Sequence, residues 1–232
     1  MNWDFKMTMF NAWFRQAVVF TAVSSMTCSP FAADLTVKVV DKPPPNDVDE
    51  SIRKLVQSRA VQLLDGDKAV FEFWLCEAAL KAKPESPGKA LAAVREFSLL
   101  GIASVSGGQR DYKDNEVPEG IHTVRFALQP QDGDHSGTAD FPYFAVLTRP
   151  ANDPKPDAFA TFTSLMKASG RGTSTGHPVV LSLRPTEEGE APKLLEPVPD
   201  HKSVRVKLPA KTGSGETTSV VFELVYKGKG KV

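Results

Sequence analysis

The sequence predicts an all-β protein: an antiparallel β-sandwich of many short strands with one helix near residues 157–169. Three observations carry this. Short runs in which apolar and polar residues alternate recur along the chain, clearest in Ile121–Leu128 and Val204–Leu208. Proline and glycine, 18 and 16 of each, punctuate those runs. A single segment, from Asp157 to Gly170, spaces its apolar residues for a helix. Alternation with period two puts one face of each strand on a core, and many such strands with one helix fit two packed antiparallel layers.

Taken in order, Leu35–Val40 alternates as a strand and is stopped by Pro43, Pro44 and Pro45, which cannot donate to a ladder. Residues 49–64 fit a helical face through Ile52, Leu55 and Val56, yet the second half, Ala60–Leu64, opens a strand. The turn signal Asp65-Gly66-Asp67 joins it to Ala69–Leu75 as a hairpin. Residues 81–89, with Pro84, Pro87 and Gly88 among charges, read as a surface loop, and 97–105 as a further apolar segment. Ile121–Leu128 follows a Pro118-Glu119-Gly120 turn and pairs with Phe141–Thr148. Residues 149–156, with three prolines, read as a linker. Asp157 is placed to cap the helix, Phe159, Phe162, Leu165 and Met166 form its apolar stripe, and Gly170 ends it. Strands follow at His177–Leu183, Lys193–Leu195, Val204–Leu208 and Val220–Tyr226.

The start of the chain has a different character. Lys6 and Arg15 precede the apolar run Ala17–Val23, which leads into Ser24 and Ser25, the layout of a secretory signal cleaved after Ala32 or Ala33. The run is shorter than the ~20 residues a membrane span needs, so export without a membrane span, to the periplasm or the extracellular space, is expected. An amphipathic first helix packed on the domain is one alternative, but Asp4, Lys6 and Arg15 do not segregate from the aromatic residues around them. Lipid attachment at Cys28 is another, but Ser25-Met26-Thr27 lacks the small Gly or Ala usual beside a modified cysteine. The expected domain plan is a signal peptide over 1–33, an extended linker segment over 34–58, one sandwich over 59–227 and a tail over 228–232. Loss of Cys28 would leave Cys76 alone, so the fold must rest on its core rather than on a disulfide. The flanking Phe73-Trp74-Leu75 marks Cys76 as a small buried hydrophobe. With 28 basic and 28 acidic residues the chain lacks the basic excess of a nucleic-acid binder.

Four features invite a chemical reading. In Asp132-Gly133-Asp134-His135-Ser136-Gly137-Thr138-Ala139-Asp140, oxygens at the first, third, fifth and ninth places and a glycine at the sixth copy much of a calcium loop. Asp132, Asp134, Ser136 and Asp140 are the candidate ligands. Tyr143 stands where such a loop has its bidentate Glu, and the same residues also satisfy plain turn chemistry. Gly172-Thr173-Ser174-Thr175-Gly176 has the spacing of a nucleophile elbow, but a helix precedes it and a strand follows, the reverse of the order that exposes the serine. The four histidines, His122, His135, His177 and His201, form no short-range metal pair. Phe71, Phe73, Trp74, Tyr143 and Phe144 are aromatic residues on strands, where a sugar-binding face is one use and core packing another. Phe73 and Trp74, being adjacent, face opposite sides.

Phe71-Glu72-Phe73-Trp74, Val117–Arg125 and Gln129–Ala139 together resemble a group of uncharacterised exported bacterial β-rich proteins that share an Asp-Gly-Asp-His loop. The resemblance spans most of residues 60–185 and implies export and a β-rich fold, with no activity attached. The leading expectation is therefore a non-enzymatic exported sandwich, a binding or structural protein whose partner is an extracytoplasmic protein or glycan. A calcium-assisted carbohydrate- or partner-binding module, and a hydrolase whose residues converge only in three dimensions, are the alternatives.

Overall fold

The computed structural model describes residues 35–111, 115–130, 139–199 and 201–227, and these described residues form one compact unit. The expected signal peptide, tail and most of the 132–140 loop lie outside the described residues. The fold is all-β, with three short α-helices among the described residues. The eleven strands described belong to one continuous sheet that doubles over to make the two layers.

β1 (Leu35–Asp41) pairs antiparallel along its whole length with β2 (Arg59–Asp65), from Leu35 opposite Asp65 to Asp41 opposite Arg59. Of the segment 34–58, expected as a linker ahead of the domain, the described residues 35–58 are therefore built into it. Between the two strands α1 (Glu50–Arg53) is started by Asp49, whose Oδ1 accepts from the amide of Ser51 at 2.8 Å. Val48, Ile52 and Val56 pack with Trp74, Cys76 and Ile102. β2 and β3 (Lys68–Leu75) form the expected hairpin, with Asp65 opposite Lys68. Gly66 takes φ +59 there, a value that the tight two-residue turn demands and glycine adopts without steric cost.

After β3 the chain runs through Cys76 into β4 (Ala78–Leu80), then a 3-10 turn at Pro87–Lys89 and α2 (Ala90–Ala93), before β5 (Leu99–Val105) returns beside β3. β5 comes so close that a Cβ on Gly101 would lie 2.2 Å from the carbonyl oxygen of Trp74. β6 (Gly120–Leu128), β7 (Tyr143–Thr148) and β8 (Val179–Pro185) continue the antiparallel order. β9 (Lys193–Val198) and the long hairpin of β10 (His201–Thr212) and β11 (Thr217–Lys227) complete the set.

The pairing order is β1-β2-β3-β5-β6-β7-β8-β11-β10-β4, with β9 also on β10. β3 and β4 are consecutive pieces of one extended run, so the path leaves that run at β5 and returns to it at β10. The closing contact, β4 on β10, is the parallel one. Inward residues from all round this circuit, among them Phe73, Phe126, Leu183, Val206 and Phe222, form a single core. Phe73 and Trp74 do face opposite sides: Phe73 enters this core and Trp74 lies under α1.

α3 (Phe162–Gly170) covers the outer side of β6, β7 and β8, with Leu165 against Ala127 and Val146. It starts later than the sequence suggests. Thr161, not Asp157, is its cap, its Oγ1 accepting from the amide of Ser164 at 3.2 Å. Arg125 explains the shift. Its guanidinium takes the carbonyls of Lys155 at 2.7 Å and Pro156 at 2.5 Å, which holds the preceding segment against β6.

Candidate functional site

β10 is the strand that shapes the candidate site, because its two edges are treated differently. One edge is paired with β11 throughout Ser203–Lys211. On the other edge β9 pairs with residues up to Arg205 and β4 begins at Ala210. Among the described residues no strand pairs with Val206–Pro209 on that side. Pro209 has no amide hydrogen to offer, the usual way in which an open edge is kept from recruiting another strand. The circuit of strands thus has a seam, and a cleft of about 460 Å³ lies along it.

Two walls face each other across this cleft. Val39 of β1, Arg59 and Val61 of β2, and Phe73 and Leu75 of β3 supply one wall, with Gln57 just ahead of β2. Val206, Lys207 and Pro209 of β10 and Thr218 and Ser219 of β11 supply the other, closed at one side by Ala191 and Pro192. Strand alternation places Arg59 and Val61 on one face of β2, so a cation and an apolar group enter the same space. Val39, at 45% exposure, is one of two large hydrophobic side chains so exposed among the described residues. It stands in the wall of the cleft, where its exposure has a reason.

Among the described residues no carboxylate, histidine or cysteine lines the cleft, and the two charged groups there are both cationic. Arg59 donates through Nε to Gln57 Oε1 at 2.8 Å. Asp41 stands opposite Arg59 in register, yet no ion pair within 4.0 Å joins them. Inward of the cleft, a small apolar void of about 10 Å³ shares Phe73, Leu75 and Val206 with it and continues between the layers toward Val124 and Leu224. The polarity therefore runs from exposed cations at the mouth to hydrocarbon at the floor.

The residues singled out by sequence lie elsewhere. Of Asp132, Asp134, Ser136 and Asp140, the first three fall outside the described residues. Asp140 Oδ2 accepts from Arg184 Nη1 at 3.1 Å, and Arg184 also stacks on Phe141 at 5.1 Å. Among the described residues no group of three or more metal-ligating side chains occurs. Ser174 is exposed in the turn between α3 and β8, with no histidine or carboxylate among the described residues hydrogen-bonded to its hydroxyl. His177 is exposed, its Nδ1 2.8 Å from the carbonyl of Pro178. His122 is buried on β6, its Nδ1 3.1 Å from the Gly120 carbonyl. Burial, then the charge of Arg149, pulls its pKa down to about 4, so it is neutral at pH 7. His201 is half-buried, with no partner for Nδ1.

Cys76 is the buried hydrophobe its neighbours suggest. Its Sγ donates to the Leu99 carbonyl at 3.0 Å, and burial pushes the thiol up to about 12. The aromatic set makes no exposed platform: Phe71 and Phe73 stack in the core at 5.8 Å, and Tyr143 is half-buried against Phe126. Trp74 donates to the Lys42 carbonyl at 2.9 Å, and Phe144 packs on Val225. Phe73 alone of these reaches the cleft.

One buried ion pair was not anticipated. Arg125 and Asp153 are 1% and 0% exposed, joined by Nε to Oδ2 at 2.8 Å and Nη2 to Oδ1 at 2.7 Å. Phe97 takes the rare φ of 63° and offers its carbonyl to Nη1 at 3.1 Å, and Thr123 donates to Asp153 at 2.5 Å. With Lys155 and Pro156 counted, every guanidinium N–H is used. This corner ties 153–156 to β6. It offers no free group for chemistry. Comparison of the chain with known families, curated proteins and solved structures finds no match. No helix among the described residues is long and apolar enough to cross a membrane.

Proposed function

We propose that this chain is an exported, non-enzymatic β-sandwich that binds a small ligand in the seam cleft. The observation that carries this is the cleft itself. Its volume falls in the ~300–1,000 Å³ range of small-molecule sites, its walls come from rigid strands, and its lining is mostly apolar with a few convergent polar groups. Among the described residues the lining has hydrogen-bond donors and cations but none suited to take a proton or attack a bond at neutral pH. That composition favours holding a molecule over transforming one. Export rests on the signal-like start of the chain.

N-phenyl-1-naphthylamine, a neutral dye that brightens in apolar surroundings, tests the cleft directly. Saturable binding to the purified protein is expected, lost in Val39→Trp, which puts a bulky ring into the cleft from an exposed position. Binding that is absent, or indifferent to that substitution, would sink the reading. Steady turnover of a defined substrate, abolished by one side-chain change, would refute its non-enzymatic part. For export, N-terminal sequencing of protein from its native cells is expected to begin at Ala33 or Asp34, and an intact Met1 on cytoplasmic protein would rule it out.

A further inference from the structure

We infer that the ligand of the seam cleft is a single-chain amphiphile with an anionic head, of the alkyl carboxylate type, its head on Arg59 and Lys207 and its tail on the floor of Phe73, Leu75 and Val206. The inference rests on the cleft being a binding site and adds the identity of what binds.

Three features converge on that chemistry. First, the charges at the mouth are of one sign. Arg59 and Lys207 come from opposite walls, β2 and β10, and no acidic residue among the described ones lines the space between them. Arg59 commits only Nε, to Gln57, which leaves the two-nitrogen fork of Nη1 and Nη2 without a partner and suited to a carboxylate. Lys207 makes no ion pair. Second, polarity is graded. Beyond the cations the lining becomes valine, phenylalanine and leucine, and the void behind it is walled by apolar side chains and Gly101. A doubly charged or sugar-like ligand would leave its polar groups against hydrocarbon there, at a cost no wall group offsets. Third, Ser219, which its register with Pro209 puts on the same face of the hairpin as Lys207, is among the lining residues, so the head finds a hydroxyl as well as charge.

Decanoate, decanol and decyltrimethylammonium, each below its micelle-forming concentration, separate the contributions in a competition assay against N-phenyl-1-naphthylamine. Decanoate is expected to displace the dye about ten-fold more strongly than decanol, the scale of two screened ion pairs, and decyltrimethylammonium more weakly than either. The preference for decanoate should shrink as salt is raised. In Arg59→Gln/Lys207→Gln, with each competition read against that variant's own dye affinity, decanoate falls to the level of decanol. If decanoate and decanol compete equally and the double variant changes nothing, the anionic head is wrong while the cleft stands. If the dye itself does not bind, the cleft reading fails instead. Displacement by an acetylated apolar tetrapeptide but not by decanoate would overturn the proposal in favour of an added strand on the open edge of β10.

Discussion

Arg125 and Arg59 sit on two strands of one sheet, with β3 and β5 between them, and do opposite things. Arg125, on β6, is fully buried and has a partner for each of its five N–H groups. Arg59, on β2, is exposed and uses only Nε. A desolvated charge is tolerable only when its partners replace the lost water, so the first arrangement is built for rigidity. An exposed cation over an apolar cleft gives up little water when empty and gains a partner when filled. The pair teaches that hydrogen-bond completeness, not charge or residue type, separates the structural corner from the binding mouth in this chain.

The comparison breaks most readily at the buried end. Asp153→Ala is expected to cost roughly 3–5 kcal/mol, since it strands the Arg125 guanidinium in the interior. Arg125→Lys should rescue little, because an ammonium cannot reproduce the planar five-donor fork. Urea unfolding gives both values, and a loss under ~1 kcal/mol for Asp153→Ala would show that the corner does not anchor the fold. Cys76 supplies a second readout. Held up at about 12, its thiol should resist iodoacetamide in the native protein, and Asp153→Ala should speed its alkylation, followed on the Cys76 peptide by mass spectrometry.

The same end of the molecule carries the pH response. His122 precedes Thr123, the donor to Asp153, and its pKa falls from 6.5 to about 4 on folding. Above pH 6.5 the ring is neutral in both folded and unfolded chains, so it adds no pH dependence. Between 6.5 and about 4 the unfolded chain binds a proton that the native one refuses, and stability declines as pH falls through that window. The full effect is roughly 3 kcal/mol, complete once both states are protonated below the folded value. In His122→Gln the curve of stability against pH should flatten over that window. An unchanged slope would assign the acid response to other groups.

Much of the fold could be read from local pattern, and little of the site. Ile121–Leu128 and the turn at Asp65-Gly66-Asp67 were legible because alternation and turn chemistry are properties of a few adjacent residues. The anchoring corner was not. Arg125 occupies a polar place in an alternating strand, where solvent is the ordinary expectation, and Asp153 lies among prolines that read as a linker. Helix α3 was displaced from 157 to 162 for the same reason, since a distant guanidinium holds the carbonyls of Lys155 and Pro156. The cleft was illegible in a stronger sense. Val39, Arg59, Phe73, Lys207 and Thr218 meet only because β3 and β4 close the circuit while β9 and β4 leave part of β10 uncovered. No spacing along the chain encodes that gap. Exposed Val39 was its one local trace, and a valine in an alternating strand attracts no notice.

The smallest expected effect sharpens the comparison from the other side. Arg59→Gln and Lys207→Gln should each alter stability by no more than about 0.5 kcal/mol, because both side chains are exposed and neither makes an ion pair that folding would lose. Removing two unpaired cations from one mouth also relieves their mutual repulsion, so a slight gain in the double variant is consistent with the geometry. Ligand response should move the opposite way. Decanoate is expected to raise the thermal midpoint of the wild-type protein by mass action and to do markedly less for the double variant, while leaving the response of Asp153→Ala proportionally intact. Parallel thermal scans of the three proteins with and without decanoate measure this. A large destabilisation in Arg59→Gln would mean that this arginine, like Arg125, is a structural partner whose acceptors form part of the fold, and the division between the two regions would collapse.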